Sequence, residues 1–445
     1  MTAEKRSQTA GEAGWHISRY NLSLDLPEKK RRVIVNLFDG SCAEYSPLET
    51  YLMSVLDEIS ADHPIIERLA KRGVIANFDE LTALDALGRM GCCSSQSVDL
   101  TICPTMGCNF NCPYCFENHY PGKMQNEVQN DVAELADRMM RANHAESLMV
   151  TWFGGEPLMA PEIIESLSAK LIALADKYQA KYKAGIITNG YLLTPENIQI
   201  LENARVSIAQ ITLDGIGAAH DATRHLVNGD PTFERIVSNL RRPIPFKVSI
   251  RHNIHEGNRN EGDKLKSFIY NLAKDSGNNL EYYPAPVSGT YTAEERGTQL
   301  DLLGENDLCM LGMQRDVRQF TPGNGTYCGV HDFWTVCIDE KGRLNKCWEN
   351  VDKPELCFGN AHDWDPMDPI RTASKPDNLT MFLNSADPLN DQECRNCIWL
   401  PTCKGGCPYQ RLFRKRSCVP YRNDPEAYVR EMHKHLVEKT AAKSL

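Results

Sequence analysis

The sequence predicts an α/β protein built around a partial (β/α)6 barrel of the TIM type, with a small N-terminal α+β unit and a cysteine-rich C-terminal domain. Two observations carry this prediction. After residue 96, segments rich in β-branched residues alternate with amphipathic helical segments, which is typical of parallel βαβ units. Beyond Pro284, regular structure thins out, and the remaining chain contains ten of the 17 cysteines. We place the domains at residues 1–95, 96–304 and 305–445.

Six segments are the candidate strands of the barrel: Val98–Cys103, Leu148–Phe153, Gly185–Thr188, Ile208–Leu213, Lys247–Ile254 and Asn279–Tyr283. Between them, apolar residues recur at helical spacing, as in Val128, Val132, Leu135 and Met139, so that they share one helix face. Barrels of this kind carry their chemistry at the C-terminal ends of the strands. We therefore expect functional residues directly after these segments.

Composition narrows the class of protein. The chain has 445 residues and a net charge of −10 without a dominant basic block, which does not favour a nucleic acid or an anionic membrane as partner. It has no apolar run near the ~18 residues of a membrane span and no apolar secretory signal, so we expect a cytoplasmic protein. In such a protein, 17 cysteines favour metal or redox chemistry over a disulfide framework.

The first cysteine motif directly follows the first candidate strand of the barrel. Cys108, Cys112 and Cys115 have the spacing C-x3-C-x2-C. Three thiolates on one tight loop can bind three irons of a cubane cluster and leave the fourth iron open to a small chelating molecule. Zinc stays an alternative from the spacing alone, because it needs four ligands and His119 is near enough in sequence to be the fourth.

With the aromatic Tyr114 before its last cysteine, this motif resembles the signature of the radical SAM superfamily. The resemblance implies a 4Fe-4S cluster whose open iron binds the amine and carboxylate of S-adenosyl-L-methionine (SAM). It further implies reductive cleavage of SAM to a 5′-deoxyadenosyl radical, which abstracts a hydrogen from the substrate. A flavodoxin- or ferredoxin-type protein would supply the electron.

Polar and glycine-containing motifs follow the next three candidate strands, as FGGEP, TNG and TLDG. Glycines let a backbone approach a ligand closely, although ordinary turns would also explain them. The resemblance implies that these regions contact SAM, with Glu156 pairing with its ammonium group and Arg224 with its carboxylate; for Arg224 a salt bridge on a helix face is the alternative. The residues expected to bind SAM are Phe153, Gly154, Gly155, Glu156, Asn189, Thr212, Asp214 and Arg224. No catalytic residue is assigned.

A second cysteine array lies near the C-terminus. It consists of C-x13-G-x4-C from Cys328 to Cys347, then C-x2-C-x5-C-x3-C from Cys394 to Cys407, and finally Cys418. This pattern resembles the SPASM domain, a C-terminal extension of radical SAM enzymes that modify peptides and proteins. The resemblance implies two auxiliary clusters, and therefore three 4Fe-4S clusters in the whole chain.

The resemblance also divides the ligands between the two auxiliary clusters. The first would be held by Cys328, Cys347 and Cys407, with either Cys309 or an open iron at the fourth position. The second would be fully ligated by Cys394, Cys397, Cys403 and Cys418. Zinc at the group from Cys394 to Cys407 is the alternative. Cys337 and Cys357 are expected to be plain thiols.

Two activities compete for this architecture. Anaerobic sulfatase maturases, which form formylglycine, carry an aspartate directly after the cysteine that matches Cys347, whereas this chain has Trp348 and then Glu349. The departure favours a maturase of ribosomally made peptides (RiPPs), which installs a modification such as a thioether or carbon crosslink. Alternatives of another class are a multi-cluster electron-transfer protein, which would need no open iron, and a zinc-stabilised scaffold.

The N-terminal unit is consistent with a peptide substrate. Strands around Asp39-Gly40 precede short helices that begin near Pro47, Pro64 and Glu80. This order resembles the small winged-helix modules of peptide maturases, which bind a leader peptide by adding it as a strand to a sheet edge. A simple cap on the barrel is the alternative.

Overall fold

A computed structural model describes residues 8–93, 96–287, 328–414, 416 and 418–442. Cys309 lies outside the described residues. The described chain forms two compact units, the first from residues 8–93, 328 and 385–442 and the second from residues 96–287 and 329–384. The units group residues that pack against one another, and each unit contains parts of more than one predicted domain. The three-domain organisation, which follows the order of the motifs, stays a prediction.

The strands of the described chain are, in order, β1 (His16–Ile17), β2 (Asn21–Leu26), β3 (Arg31–Asn36), β4 (Cys42–Tyr45), β5 (Ile75–Ala76), β6 (Ser97–Ile102), β7 (Ser147–Trp152), β8 (Lys181–Thr188), β9 (Val206–Thr212), β10 (Lys247–Ile254), β11 (Leu280–Pro286), β12 (Thr335–Ile338), β13 (Arg343–Asn345) and β14 (Gly359–Asn360). Its α-helices are α1 (Pro47–Ser54), α2 (Pro64–Ala70), α3 (Glu80–Cys93), α4 (Asn126–Asn143), α5 (Pro161–Lys177), α6 (Pro195–Asn203), α7 (Ala218–Asp221), α8 (Phe233–Leu240), α9 (Gly262–Ser276), α10 (Pro376–Thr380), α11 (Gln392–Arg395), α12 (Leu400–Cys403), α13 (Pro408–Phe413) and α14 (Pro425–Ala442). In this part of the chain, no helix combines the length and the apolar character that crossing a membrane requires.

The second unit contains a nine-stranded sheet in the order β11-β10-β9-β8-β7-β6-β12-β13-β14. Strands β6 to β11 pair in parallel and in sequential order, with helices between them, which confirms the predicted α/β class and its six barrel strands. Because crossovers between parallel strands are right-handed, the connecting helices lie on one face of these strands. The carboxyl ends of the six strands consequently meet at one edge.

Two strands are at least two residues longer than the sequence predicts, and one further strand joins the sheet unexpectedly. β8 begins at Lys181, where exposed lysines alternate with buried residues and pair with β7. β11 continues through Pro284 to Pro286, which an edge strand tolerates because one of its sides needs no backbone donors. β12, which contains Cys337, pairs in parallel with β6 and extends the sheet on its other side.

The core of the second unit lies between the sheet and its helices. Leu100 and Ile102 of β6 are buried, as are Leu135 and Met139 of α4, and all belong to one apolar cluster. The residues predicted to share a helix face therefore do so because that face covers the sheet. This packing fixes the strand ends from which the site loops leave.

The first unit contains an antiparallel sheet in the order β2-β3-β4, followed along the chain by α1, α2 and α3. Helix α1 begins with a capping box between Ser46 and Glu49. The C-terminal helix α14 shares the core of this sheet, since Tyr428 and Val429 are fully buried in its apolar cluster. The N-terminal strands thus depend on a segment near the other end of the chain for their packing.

Candidate active site

The loop with the first cysteine motif leaves the carboxyl end of β6. Backbone hydrogen bonds fix this loop, since Asn111 donates to the carbonyl of His225 at 3.1 Å and Val227 donates to that of Asn109 at 3.0 Å. Within the loop, Cys115 N–H donates to the carbonyl of Cys112 at 3.1 Å.

Burial raises the pKa of the three thiols in this loop, those of Cys108, Cys112 and Cys115. They are therefore neutral at pH 7 until a metal displaces their protons.

The two glycines of FGGEP are required by a close contact between two loops. Gly154 has a φ of +101°, and a Cβ there would lie 2.4 Å from the carbonyl oxygen of Thr105. A Cβ on Gly155 would lie 2.4 Å from the carbonyl oxygen of Gly107. The glycines consequently let the loop after β7 pack on the chain that leads into the cysteine loop. Their predicted approach to SAM stays a prediction.

We predict that Gly155→Ala destabilises the second unit by about 1–3 kcal/mol, because its Cβ would collide with backbone atoms that cannot rotate away. Urea unfolding measures the loss, and iron analysis after reconstitution should show weaker cluster binding. Gly262→Ala is the control, since a Cβ there would meet the Tyr282 hydroxyl at an ordinary 3.5 Å. Equal stability of the two variants would contradict this role of Gly155.

Glu156 ties the ends of β7 and β8 together. Its side chain is fully buried and accepts hydrogen bonds from the Thr188 hydroxyl at 2.6 Å and from the Asn189 N–H at 2.7 Å. The Asn189 side chain donates in turn to Asn109 in the cysteine loop at 2.8 Å. Burial raises the pKa of Glu156, and the hydrogen bond from Thr188 lowers this pKa by a smaller amount. Glu156 is thus a structural link, and its pairing with the SAM ammonium group stays a prediction.

A buried polar group connects the cysteine loop to the end of β9. Tyr114 donates from its hydroxyl to Oδ2 of Asp214, which also accepts from Thr223 at 3.0 Å. Arg224 donates to the Tyr114 hydroxyl at 3.0 Å, and its guanidinium carbon lies 5.6 Å from the ring centroid of Phe110. Arg224 is only 8% exposed, so the structure places it against the cysteine loop instead of in a surface salt bridge.

Two polar atoms of this group are buried without a hydrogen-bond partner among the described residues: Oδ1 of Asp214 and Nε of Arg224. Leaving such atoms unsatisfied is costly, so native proteins rarely do it without a reason. A polar ligand that reaches this edge of the sheet would satisfy them, which fits the donors and acceptors that SAM offers.

Two histidines at the end of β10 were missed by the sequence prediction. His252 and His255 are buried, and within the described chain their Nε2 atoms have no hydrogen-bond partner. Burial lowers the pKa of both, so they are neutral at pH 7. Buried residues alternate along β10 and put His252 on the same buried face as Val248 and Ile250. This alternation in the sequence could have predicted that His252 is buried.

The remaining residues expected to bind SAM also lie at this edge. Thr212 ends β9 and is 7% exposed. Phe153 follows β7 and packs between two aromatic rings, with centroid distances of 6.3 Å to Phe116 and 5.4 Å to Trp348. The predicted set therefore occupies the ends of β7, β8 and β9 and the segment after α7, although contact with SAM stays a prediction.

A small group of potential metal ligands lies at the end of the first motif and contains His119, the residue expected as the fourth ligand in the zinc alternative. Nε2 of His119 lies 3.5 Å from Sγ of Cys115, and with Glu117 these residues form a group whose ligand atoms lie within 4.8 Å of one another. Neither Cys108 nor Cys112 belongs to that group. The assignment of Cys108, Cys112 and Cys115 to a cubane cluster stays a prediction.

The second cysteine array converges in the first unit. A small pocket of about 20 Å³ is lined by the thiol-bearing residues Cys394, Cys397, Cys403 and Cys418. Burial raises the pKa of Cys403, and the thiols of Cys418, Cys394 and Cys397 act in the same direction. Four convergent thiols match the ligand set of a fully ligated 4Fe-4S cluster, and zinc, which also binds four thiolates, stays the alternative.

The cysteines expected to hold the first auxiliary cluster are divided between the units. Cys328 and Cys407 are exposed residues of the first unit, and Cys347 is buried in the second. This cluster, with Cys309 or an open iron at its fourth position, stays a prediction. Cys337 and Cys357 are buried, and the Cys357 thiol donates to the carbonyl of Pro354 at 3.0 Å.

Residues 102–256 match the family model of the Radical SAM superfamily. The match begins at the last residue of β6 and contains the cysteine loop, Glu156, Asp214 and Arg224. Residues 102–256 thus match a radical SAM domain, in agreement with the buried polar edge around the three cysteines of this segment.

Three comparisons place the chain among known proteins. A serine-type anaerobic sulfatase-maturating enzyme from Bacteroides thetaiotaomicron is 22% identical over 358 residues, which is 70% of this chain and 83% of that protein. The radical SAM cyclopropyl synthase TigE from Paramaledivibacter caminithermalis is 26% identical over 148 residues, 30% of each chain. A solved structure described as native anSMEcpe with bound AdoMet and Cp18Cys peptide has a TM-score of 0.53 and 18% identity, covering 78% of this chain and 100% of that chain. At this identity the structural likeness shows the fold alone.

Proposed function

We propose that this protein cleaves SAM reductively and modifies a peptide substrate, forming a bond such as a thioether or carbon crosslink. The single observation that carries the proposal lies at the edge of the parallel sheet. There the Cys112 thiol interacts with Arg224 and Asp214, and each of these two residues has a buried polar atom without a hydrogen-bond partner among the described residues. When bound there, the cluster and SAM supply a radical that abstracts a hydrogen from the substrate. A flavodoxin- or ferredoxin-type donor would reduce the cluster.

The residues of this chain then have separate roles. Cys108, Cys112 and Cys115 hold the first cluster. Tyr114 connects that loop to Asp214 and Arg224, so the atoms that would face SAM are positioned by the same network that fixes the cluster. The site lies among buried groups, which excludes water from a reactive intermediate.

A peptide substrate is supported by the relatives and by the first unit. The sulfatase-maturating relative is similar over most of both chains, and the anSMEcpe structure is described with a bound peptide. In the three-stranded sheet of the first unit, β4 is an edge strand. An edge strand can accept an extended peptide by main-chain hydrogen bonds, which is how a leader peptide would bind.

Formylglycine formation is the second candidate, and the 22% identity to a sulfatase-maturating enzyme favours it. The residue after Cys347 argues against formylglycine formation. Trp348 is 45% exposed and packs on Phe153, and an indole cannot accept a proton as the expected aspartate would. We therefore place crosslink formation first.

Anaerobic co-expression distinguishes the two candidates. The protein is produced with short peptides encoded next to its gene and, separately, with a sulfatase, and each product is analysed by mass spectrometry and with a hydrazide probe. A crosslink removes two hydrogens and leaves no aldehyde, whereas formylglycine reacts with the probe. Aldehyde formation would reverse the order of the candidates, and SAM cleavage without any modified polypeptide would contradict both.

A further inference from the structure

We propose that Arg411 and Arg422 are positioning residues that raise the reduction potential of the second auxiliary cluster by donating hydrogen bonds to two of its cysteine sulfurs. The inference rests on the part of the proposed function that places a cluster at Cys394, Cys397, Cys403 and Cys418. It concerns what surrounds that cluster, which the cysteine spacing does not reveal.

Two guanidinium groups point at ligand sulfurs of this cluster. Nη1 of Arg411 lies 3.1 Å from Sγ of Cys394, and Nη1 of Arg422 lies 2.9 Å from Sγ of Cys418. Such bonds become charge-assisted when the sulfur is a thiolate, as it is in a cluster. Two of the four proposed ligands thus carry a cationic donor.

Carboxylates hold both arginines in place. Arg411, whose side chain is 7% exposed, lies 3.4 Å from Oδ2 of Asp391, and Arg422 donates to Oε1 of Glu393 at 2.5 Å. Asp391 also caps α11 by accepting from the N–H groups of Glu393 and Cys394. The donors and one of the acceptor cysteines are therefore fixed by the same short helix.

Positive charge is in excess around this cluster. Arg416 lies 2.7 Å from both Asp391 and Glu393, so three guanidinium groups share two carboxylates. Residues 385–423 contain seven basic side chains and three acidic ones, although the whole chain has a net charge of −10. The enrichment is local to the segment that contains the cysteines.

The direction of the effect follows from charge. Four thiolates around an iron–sulfur core have a net negative charge, and reduction adds another. Hydrogen bonds to the sulfurs and neighbouring positive charges stabilise the reduced form more than the oxidised form. Removing either arginine should consequently make the cluster harder to reduce.

The test uses the full chain with Cys108, Cys112 and Cys115 changed to alanine, so that only auxiliary clusters give signals. After anaerobic reconstitution, EPR-monitored potentiometry is performed on this parent and on Arg411→Gln, Arg422→Gln and their combination. We expect one auxiliary signal to shift to a more negative potential in each variant, and further in the combination. Arg430→Gln is the control, because Arg430 pairs with exposed Glu426 on α14 and should leave the potential unchanged.

Unchanged potentials in iron-replete Arg411→Gln and Arg422→Gln would overturn the inference while leaving the cluster in place. A parent protein that binds no reducible cluster would overturn both the inference and the assignment of the second auxiliary cluster. SAM cleavage is measured separately on the wild-type protein, so that result leaves the SAM-cleaving activity to be judged independently. If the glutamine variants lose iron, the same potentiometry is performed on Arg411→Lys and Arg422→Lys, because lysine keeps the positive charge without the planar donor pair. A more negative potential in the lysine variants supports the hydrogen bonds as the cause, and an unchanged potential overturns the hydrogen-bond role of the arginines.

Discussion

Cys112→Ala is expected to abolish SAM cleavage. The cysteine loop offers three thiols for three irons, so the loss of one leaves the first cluster without a stable binding site. After anaerobic reconstitution with SAM and dithionite, 5′-deoxyadenosine should fall to the background of the protein-free mixture. Iron should fall by about four from the ~12 atoms that three cubanes require.

The matched control for this loss is Cys357→Ala. Cys357 is buried in the same unit, but its thiol donates to the carbonyl of Pro354 and no cluster is assigned to it. This variant should keep SAM cleavage and iron content. Sustained 5′-deoxyadenosine formation by Cys112→Ala would show that the first cluster is held elsewhere.

Cys397→Ala is expected to separate SAM cleavage from product formation. Cys397 lines the pocket proposed to hold the second auxiliary cluster in the first unit, whereas the cysteine loop belongs to the second unit. Loss of one of four ligands should remove that cluster, leaving 5′-deoxyadenosine formation measurable and the modified peptide absent. Chromatography of 5′-deoxyadenosine and mass spectrometry of the peptide follow the two steps in one reaction.

Thr402→Ala is the control for Cys397→Ala, because Thr402 is buried on α12 of the same unit and its hydroxyl donates to the carbonyl of Trp399 instead of to a cysteine. It should retain both steps. Normal peptide modification by Cys397→Ala would remove the second auxiliary cluster from the mechanism.

The barrel strands and the cysteine groups were predictable because their signals are local. Strand β10 has the predicted bounds, since its buried and exposed residues alternate throughout. Cluster ligands follow fixed spacings along one loop, and the four cysteines expected around the second auxiliary cluster do line one cavity. Such patterns need no knowledge of distant parts of the chain.

Contacts between distant segments were not predictable. β12 pairs with β6, more than two hundred residues earlier, and its short apolar run does not indicate which strand it joins. The partners of Glu156 also lie on another strand, so a motif that suggests ligand binding proves to hold two strand ends together. Arg411 and Arg422 look like an ordinary basic stretch until the fold brings them to Cys394 and Cys418.

The proposed function requires that the loop from Cys108 to Cys115 holds a cluster that cleaves SAM. The most direct measurement is the formation of 5′-deoxyadenosine and methionine by the anaerobically reconstituted wild-type protein with SAM and dithionite. We predict that both products form in equal amounts and that exposure to air abolishes the reaction, because the open iron is accessible to oxidants. Iron-replete protein that forms neither product would show that this loop holds no SAM-cleaving cluster.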